Sequence, residues 1–181
     1  MSKPSTVSRR HLPAQGKTRM RPRKQVVVCP GAEMRQSSVQ AGLAAIRSAD
    51  YVLVHDVARP MVSAALARRV LAAAVESGAA IPCLPSEDVV HFVTGGLLAG
   101  RVASKIVLAQ TPQGFKSDLL KRAHFEAAEA GLRGDDADVV VATGHPVAVV
   151  EGEAANIMVS TRLDFELVEA LIHQRETNGA G

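Results

Sequence analysis

The sequence predicts an α/β domain, a mostly parallel sheet covered by helices. Three observations carry that prediction. Short apolar runs of strand length alternate with Ala-rich segments whose apolar residues follow helical spacing. Hydrophobic residues make up 47% of the chain, but only one Tyr and four Phe are aromatic, so the core is one of Val, Leu, Ile and Ala. At 181 residues the chain is long enough for one such domain with a sizeable interior.

The elements follow in order. Val26–Cys29, a β-branched run ended by Pro30-Gly31, reads as a strand. Ser37 or Ser38 then caps a helix carrying Val39, Leu43 and Ile46. Tyr51–Val54 is a second strand, too short and continuous for a helix, and Met61–Ser77 is an Ala-rich helix with Ser63 near its start and Gly78 past its end. Ala79–Leu84 reads as a strand. Val89–Val93 and Leu97–Val102, separated by Thr94-Gly95-Gly96, read as a hairpin that interrupts the rhythm. Ser117–Ala130 is a helix ended by Gly131, Val139–Ala142 and Val147–Val150 are strands, and Leu163–His173 is an amphipathic helix. The organisation expected is a disordered basic leader over 1–24, a domain over 25–174 with an arm at about 88–103, and a flexible terminus over 175–181.

The net charge of +3 is unevenly spread. Eight of the 21 basic residues and none of the 18 acids fall in 1–24, so the remainder is acidic. A solvated leader is expected there, and nucleic acid is not expected as a partner. No apolar run approaches the roughly 18 residues that span a bilayer, and Met1–Lys24 lacks the apolar stretch of a signal peptide. With Cys29 and Cys83 read as buried free thiols, the expected location is cytoplasmic and no membrane partner is implied.

Ligands of such sheets bind beyond the carboxyl ends of the strands. That rule singles out Val52-Leu53-Val54-His55-Asp56-Val57-Ala58-Arg59-Pro60, expected at the end of a central strand. A carboxylate there can hold Mg²⁺ or a ribose hydroxyl, and a guanidinium three residues later can grip a phosphate. A local Asp–Arg pair that only shapes the loop is the alternative.

Val-His-Asp-Val-Ala-Arg-Pro resembles the signature of the 2-C-methyl-D-erythritol 4-phosphate cytidylyltransferase family and of its relatives acting on ribitol 5-phosphate. Four further blocks follow the family's order: Gly31-Ala32-Glu33-Met34-Arg35 with Ser38-Val39 and Gly42-Leu43, Gln110-Thr111-Pro112-Gln113-Gly114-Phe115, Asp135-Asp136-Ala137, and Val150-Glu151-Gly152 with Asn156-Ile157. The resemblance implies a Rossmann-like nucleotidyltransferase fold of three layers and the transfer of CMP from CTP to a polyol phosphate, with pyrophosphate released and Mg²⁺ required. It implies contacts to the polyol phosphate from Asp56, Arg59, Thr111 and Asp135, to the nucleotide from Gly31, Arg35, Ser38 and Asp56, and to the metal from Asp56; it assigns no one catalytic residue. It also implies a homodimer joined through the hairpin at 88–103.

The chain departs from the family's pattern in places. The glycine-rich loop that cradles the triphosphate is only faintly echoed, by Pro13–Met20 and Lys24-Gln25. Val89, Ala103, Gly134 and Met158 stand where the family has Thr, Arg, Thr and Lys, while Arg101 lies two residues from Ala103 on the same side of a strand. The expectation is an N-terminally truncated or degenerate member with weakened catalysis, the alternative being a non-catalytic dimer that binds a sugar phosphate.

Overall fold

The computed structural model describes residues 26–46 and 48–178. The leader over 1–24, with its echo of the glycine-rich loop, lies outside the described residues, as do 179–181. The elements run α1 (Arg35–Ala45), β1 (Tyr51–Val54), α2 (Ala64–Ser77), β2 (Ala79–Pro85), β3 (His91–Thr94), β4 (Leu97–Arg101), β5 (Val107–Ala109), β6 (Gln113–Lys116), α3 (Ser117–Glu129), α4 (Asp136–Ala142), β7 (Ala148–Glu151) and α5 (Arg162–Asn178).

Strand pairing gives a mixed sheet. β7 runs parallel to β2, whereas β6 pairs antiparallel with both β1 and β2, and β5 antiparallel with β2. β5 and β6 form one pass along the same edge of β2, interrupted at Gln110–Pro112, where the Thr111–Pro112 peptide is cis. So β1, β2 and β7 point one way, as expected, but an antiparallel pass lies between β1 and β2. That pass corrects the mostly parallel sheet. Neither of its strands is among those read from the sequence: Gln113–Lys116 lacks a continuous apolar run, and Val107–Ala109 is only three residues long. A second correction follows for β1, which stands at the sheet's edge among the described residues rather than at its centre.

Alternation along β6 sorts the layers. Phe115 is fully buried with Leu119, Leu120 and Ala123 of α3 and Val139 and Val140 of α4. Gly114 faces the other way, onto Val70 and Ala74 of α2. α1 packs on α3. α2 begins where Ser63 accepts the Leu66 N–H at 2.9 Å and ends at Gly78, whose φ of 86° suits glycine.

Four readings of local structure need correction. Val26–Cys29 is not a strand. Val26 and Val28 are 83% and 90% exposed, and strand geometry does not hold without a paired neighbour. Val139–Ala142 belongs to α4, not to a strand. Asp135 and Asp138 form a reciprocal capping box there, and a nucleated turn overrides the β preference of three valines. α1 starts two residues before Ser37, with Met34 at its N-cap. The last helix also reaches further than expected, through Asn178.

The hairpin forms its own two-stranded sheet. Gly95 and Gly96 both take positive φ, 59° and 80°, the two-residue turn that matches strand twist.

Candidate active site

The sheet's geometry brings the sequence blocks together at the carboxyl end of β1. Asp56 sits just past that strand. Its backbone N–H donates to Thr111 Oγ1 at 3.1 Å, and its carboxylate Oδ1 accepts from Arg35 at 3.3 Å. The Arg59 N–H donates to the Asp56 carbonyl, closing the turn. Thr111 lies across from this turn because β6 pairs with β1.

Proton accounting fixes His55. The Arg59 carbonyl can only accept, so a neutral His55 ring donates to it from Nε2 at 3.1 Å. Nδ1 is then an acceptor, and the Thr111 hydroxyl donates to it at 2.9 Å. Thr111 is 3% exposed, and its one proton is engaged inside the turn. Sequence reasoning missed His55, although it stands inside the signature.

Arg59 reaches across the loop to the segment after β7. Its two amino groups donate to the carbonyls of Asn156 at 2.9 Å and Ala109 at 3.2 Å, and one lies 3.8 Å from Met158 Sδ. Burial pulls the guanidinium below its ordinary pKa, and the Asp56 charge offsets part of that. Asn156 is fully buried and donates to the Thr111 carbonyl at 2.8 Å. The Gln110 amide pairs with the backbone of Glu153 in both directions, at 2.9 and 3.0 Å. The Gln-Thr-Pro-Gln segment is thereby bonded to the Asn156 loop.

Arg35, at the start of α1, spans two carboxylates. One amino group meets Asp56 and the other meets Asp136 at 2.7 Å. Asp136 is fully buried and also accepts from His124 Nε2 at 2.8 Å. Burial alone would raise the Asp136 pKa, but the bonds from His124 and Arg35 outweigh it and hold the carboxyl below its ordinary value. For Arg35, burial works against the charged form, yet Asp136 and Asp56 raise its pKa above the ordinary one.

The remaining predicted residues do local work in this geometry. Asp135 accepts from the Asp138 N–H and from Gln113, so both its oxygens are engaged. Ser38 accepts the Ala32 N–H at 2.9 Å and donates back to the Met34 carbonyl, which shapes the turn after Gly31. At the hairpin's root a cavity of about 500 Å³ is lined in part by Val89, Arg101 and Ala103.

Among the described residues no group of three or more His, Cys, Asp or Glu converges. Mg²⁺ needs no such cage, since it takes one or two carboxylates and completes its shell with waters and substrate phosphates. Asp56, 32% exposed with only Oδ1 engaged by a side chain among the described residues, fits that use.

A carboxylate and guanidinia at a strand's carboxyl end suit phosphate chemistry, and the comparisons place this α/β domain in the nucleotidyltransferase class. The family model described as 2-C-methyl-D-erythritol 4-phosphate cytidylyltransferase matches residues 7–174, and the chain belongs to that family. The cytidylyltransferase of Thermus thermophilus is 48% identical over 149 residues, covering 80% of this chain and 68% of that one. That of Geobacillus thermodenitrificans is 40% identical over 159 residues, covering 87% and 70%. Among solved structures, the Thermus thermophilus enzyme superposes with a TM-score of 0.73 at 47% identity, covering 79% and 71%. The Francisella tularensis enzyme superposes with a TM-score of 0.74 at 32% identity, covering 79% and 70%. No helix among the described residues is long and apolar enough to cross a membrane.

Proposed function

We propose that this chain carries out its family's reaction, transferring CMP from CTP to 2-C-methyl-D-erythritol 4-phosphate and releasing pyrophosphate. One observation carries the reading: Asp56 stands past the end of β1 with Arg35 against its carboxylate and Arg59 closing the same turn. The substrate phosphate oxygen forms a bond to the α-phosphorus of CTP, and the bond to the β-phosphate breaks in line. Such a transfer needs positioned charge more than a covalent nucleophile. Asp56 would hold Mg²⁺, which supplies neutralisation of phosphate charge when bound. Arg35 and Ser38 would face the nucleotide beside Gly31, while Arg59, Thr111 and Asp135 belong to the polyol-phosphate side. Bonding within the turn keeps Asp56 and Thr111 fixed relative to each other.

The rate is low in this reading. Met158 stands where a family lysine would add charge. Removing one such charge-stabilising group costs roughly 10²–10³ in rate.

The test is pyrophosphate release with CTP, Mg²⁺ and 2-C-methyl-D-erythritol 4-phosphate. Release above the no-enzyme background is expected, falling at least about a hundredfold in Asp56→Ala. Release that Asp56→Ala leaves unchanged, or none at any substrate concentration, would reject the reading.

A further inference from the structure

α1 is held to the body by Leu43, its one buried residue, by Val39 packed against the core, and by polar contacts. Gln36 donates to the Leu132 carbonyl at 3.3 Å and Gln40 to the His124 carbonyl at 3.1 Å. Arg35 supplies the third tie, to Asp136. His124 therefore meets α1 twice, through its own carbonyl and through the carboxylate its ring holds. Its side chain is 1% exposed, and Asp136 offers one oxygen to His124 and the other to Arg35. An ionised carboxylate can only accept, so His124 keeps its proton on Nε2.

The two ends of Arg35 are not equivalent. At 2.7 Å the Asp136 end has the length of a charge-assisted bond, whereas the Asp56 end at 3.3 Å exceeds the usual range of about 2.7–2.9 Å. One end is anchored in the interior and the other is slack at the head of β1. A planar guanidinium fixed at one amino group holds the second in a narrow arc.

We propose that His124 and Asp136 are positioning residues, which fix Arg35 so that its slack amino group stands at Asp56 as a cation aimed at nucleotide phosphate. The assignment rests on reading Asp56 as the site's carboxylate. His124 orients Asp136, Asp136 holds Arg35, and neither of the two touches substrate. When a triphosphate arrives, the slack amino group turns from Asp56 to a phosphate oxygen while the anchored one stays on Asp136. No buried contact has to break for that turn.

The experiment uses the full ¹⁵N-labelled chain. In the ligand-free wild type the guanidinium resonances of Arg35 are expected to be split by slow rotation, with His124 protonated at Nε2. His124→Gln, which keeps a donor, should preserve the splitting. His124→Leu should average it and weaken CTP binding by about tenfold or more, the scale of one hydrogen bond to a charged group. A purely structural His124 would lower the melting temperature of His124→Leu and leave the Arg35 resonances of the folded protein split. That outcome overturns the proposal, as does averaged Arg35 rotation in the wild type, which is readable even if His124→Leu does not fold. The ligand-free spectra stand whether or not the chain releases pyrophosphate, so a failure of the reaction assay is a separate result.

Discussion

Arg35 and Asp136, 101 positions apart and the first residues of α1 and α4, meet at 2.7 Å, and Asp136 has no exposure to solvent. Removing the guanidinium leaves a buried carboxylate with His124 as its remaining side-chain hydrogen-bond partner among the described residues. Breaking a buried pair from one side costs about 3–5 kcal/mol. The Arg35 side chain is 39% exposed, which favours the lower end. Arg35→Ala should therefore lose about 3 kcal/mol, seen as a lower denaturation midpoint in urea with an unchanged slope. A loss below about 1 kcal/mol would mean that water serves Asp136 as well as Arg35 does.

Acid should loosen the start of α5 only at low pH. Asp164 accepts from the Ser160 N–H at 3.0 Å and the Thr161 N–H at 2.7 Å, while Thr161 Oγ1 accepts the Asp164 N–H. These bonds, the Ser160 backbone bond foremost, bring its pKa down to about 2. A carboxyl lowered on folding adds stability above its unfolded pKa of about 3.9 and loses it as pH falls through the folded value. The cap should hold at pH 5 and fray on approach to about 2. Carboxyl ¹³C titration reads this directly, and a midpoint near about 4 would refute it. Asp136, also lowered, adds acid sensitivity of the same sign.

Much of the fold was legible because local rules agreed with tertiary demands. Ser63 and Gly78 bracket α2 as their chemistry predicts, and Tyr51–Val54 matches the predicted strand. The errors arose where partners distant in sequence decide. Val26–Cys29 has the composition of a strand and no paired neighbour among the described residues, while Val139–Ala142 has it too and is captured by the Asp135 cap. For the site, Asp56, Arg59 and Thr111 do converge, as their common motifs implied. Nothing in the spacing of Arg35, His124 and Asp136 reveals their contact, because it depends on how three helices stack. His55 could have been found from its neighbours, since a histidine beside the carboxylate at a strand's end has few other tasks.

Gly114 marks the closest approach of α2 to the sheet. A Cβ there would lie 2.9 Å from Val70 Cγ1 and 3.1 Å from both Ala74 Cβ and Leu53 Cδ2. Val70 and Ala74 are fully buried, so they have little room to yield. Gly114→Ala should destabilise by about 1–3 kcal/mol through overpacking. The site should feel it too, since Gly114 lies three residues from Thr111. A melting temperature equal to that of the wild type would show that α2 can shift away freely.

The hairpin carries the prediction about assembly. Phe92, Val93, Leu97 and Leu98 are 60%, 63%, 75% and 72% exposed, on a two-stranded sheet with no strand paired to the main one. An isolated hairpin is marginal in water, so a stable one needs another surface. A second copy of the chain offers it with closed symmetry, each hairpin covering the same patch on its partner. Val89, Arg101 and Ala103 line the cavity at the hairpin's root, so a partner seated there would also come near these positions. The proposed state is thus a homodimer through 88–103. Burying an apolar side chain of this size is worth about 1.5–3 kcal/mol. A central interface residue replaced by a charge should cost about 2 kcal/mol or more, roughly thirtyfold in the dissociation constant. Sedimentation at micromolar concentration should show a dimer for the wild type and a shift toward monomer for Phe92→Asp and Leu98→Asp. Arg122→Ala, on the exposed face of α3 and paired among the described residues only with Glu126 on its own helix, should leave the dimer intact. A monomeric wild type at that concentration would refute the arm. So would a dimer that survives both hairpin substitutions, since its interface would then lie elsewhere.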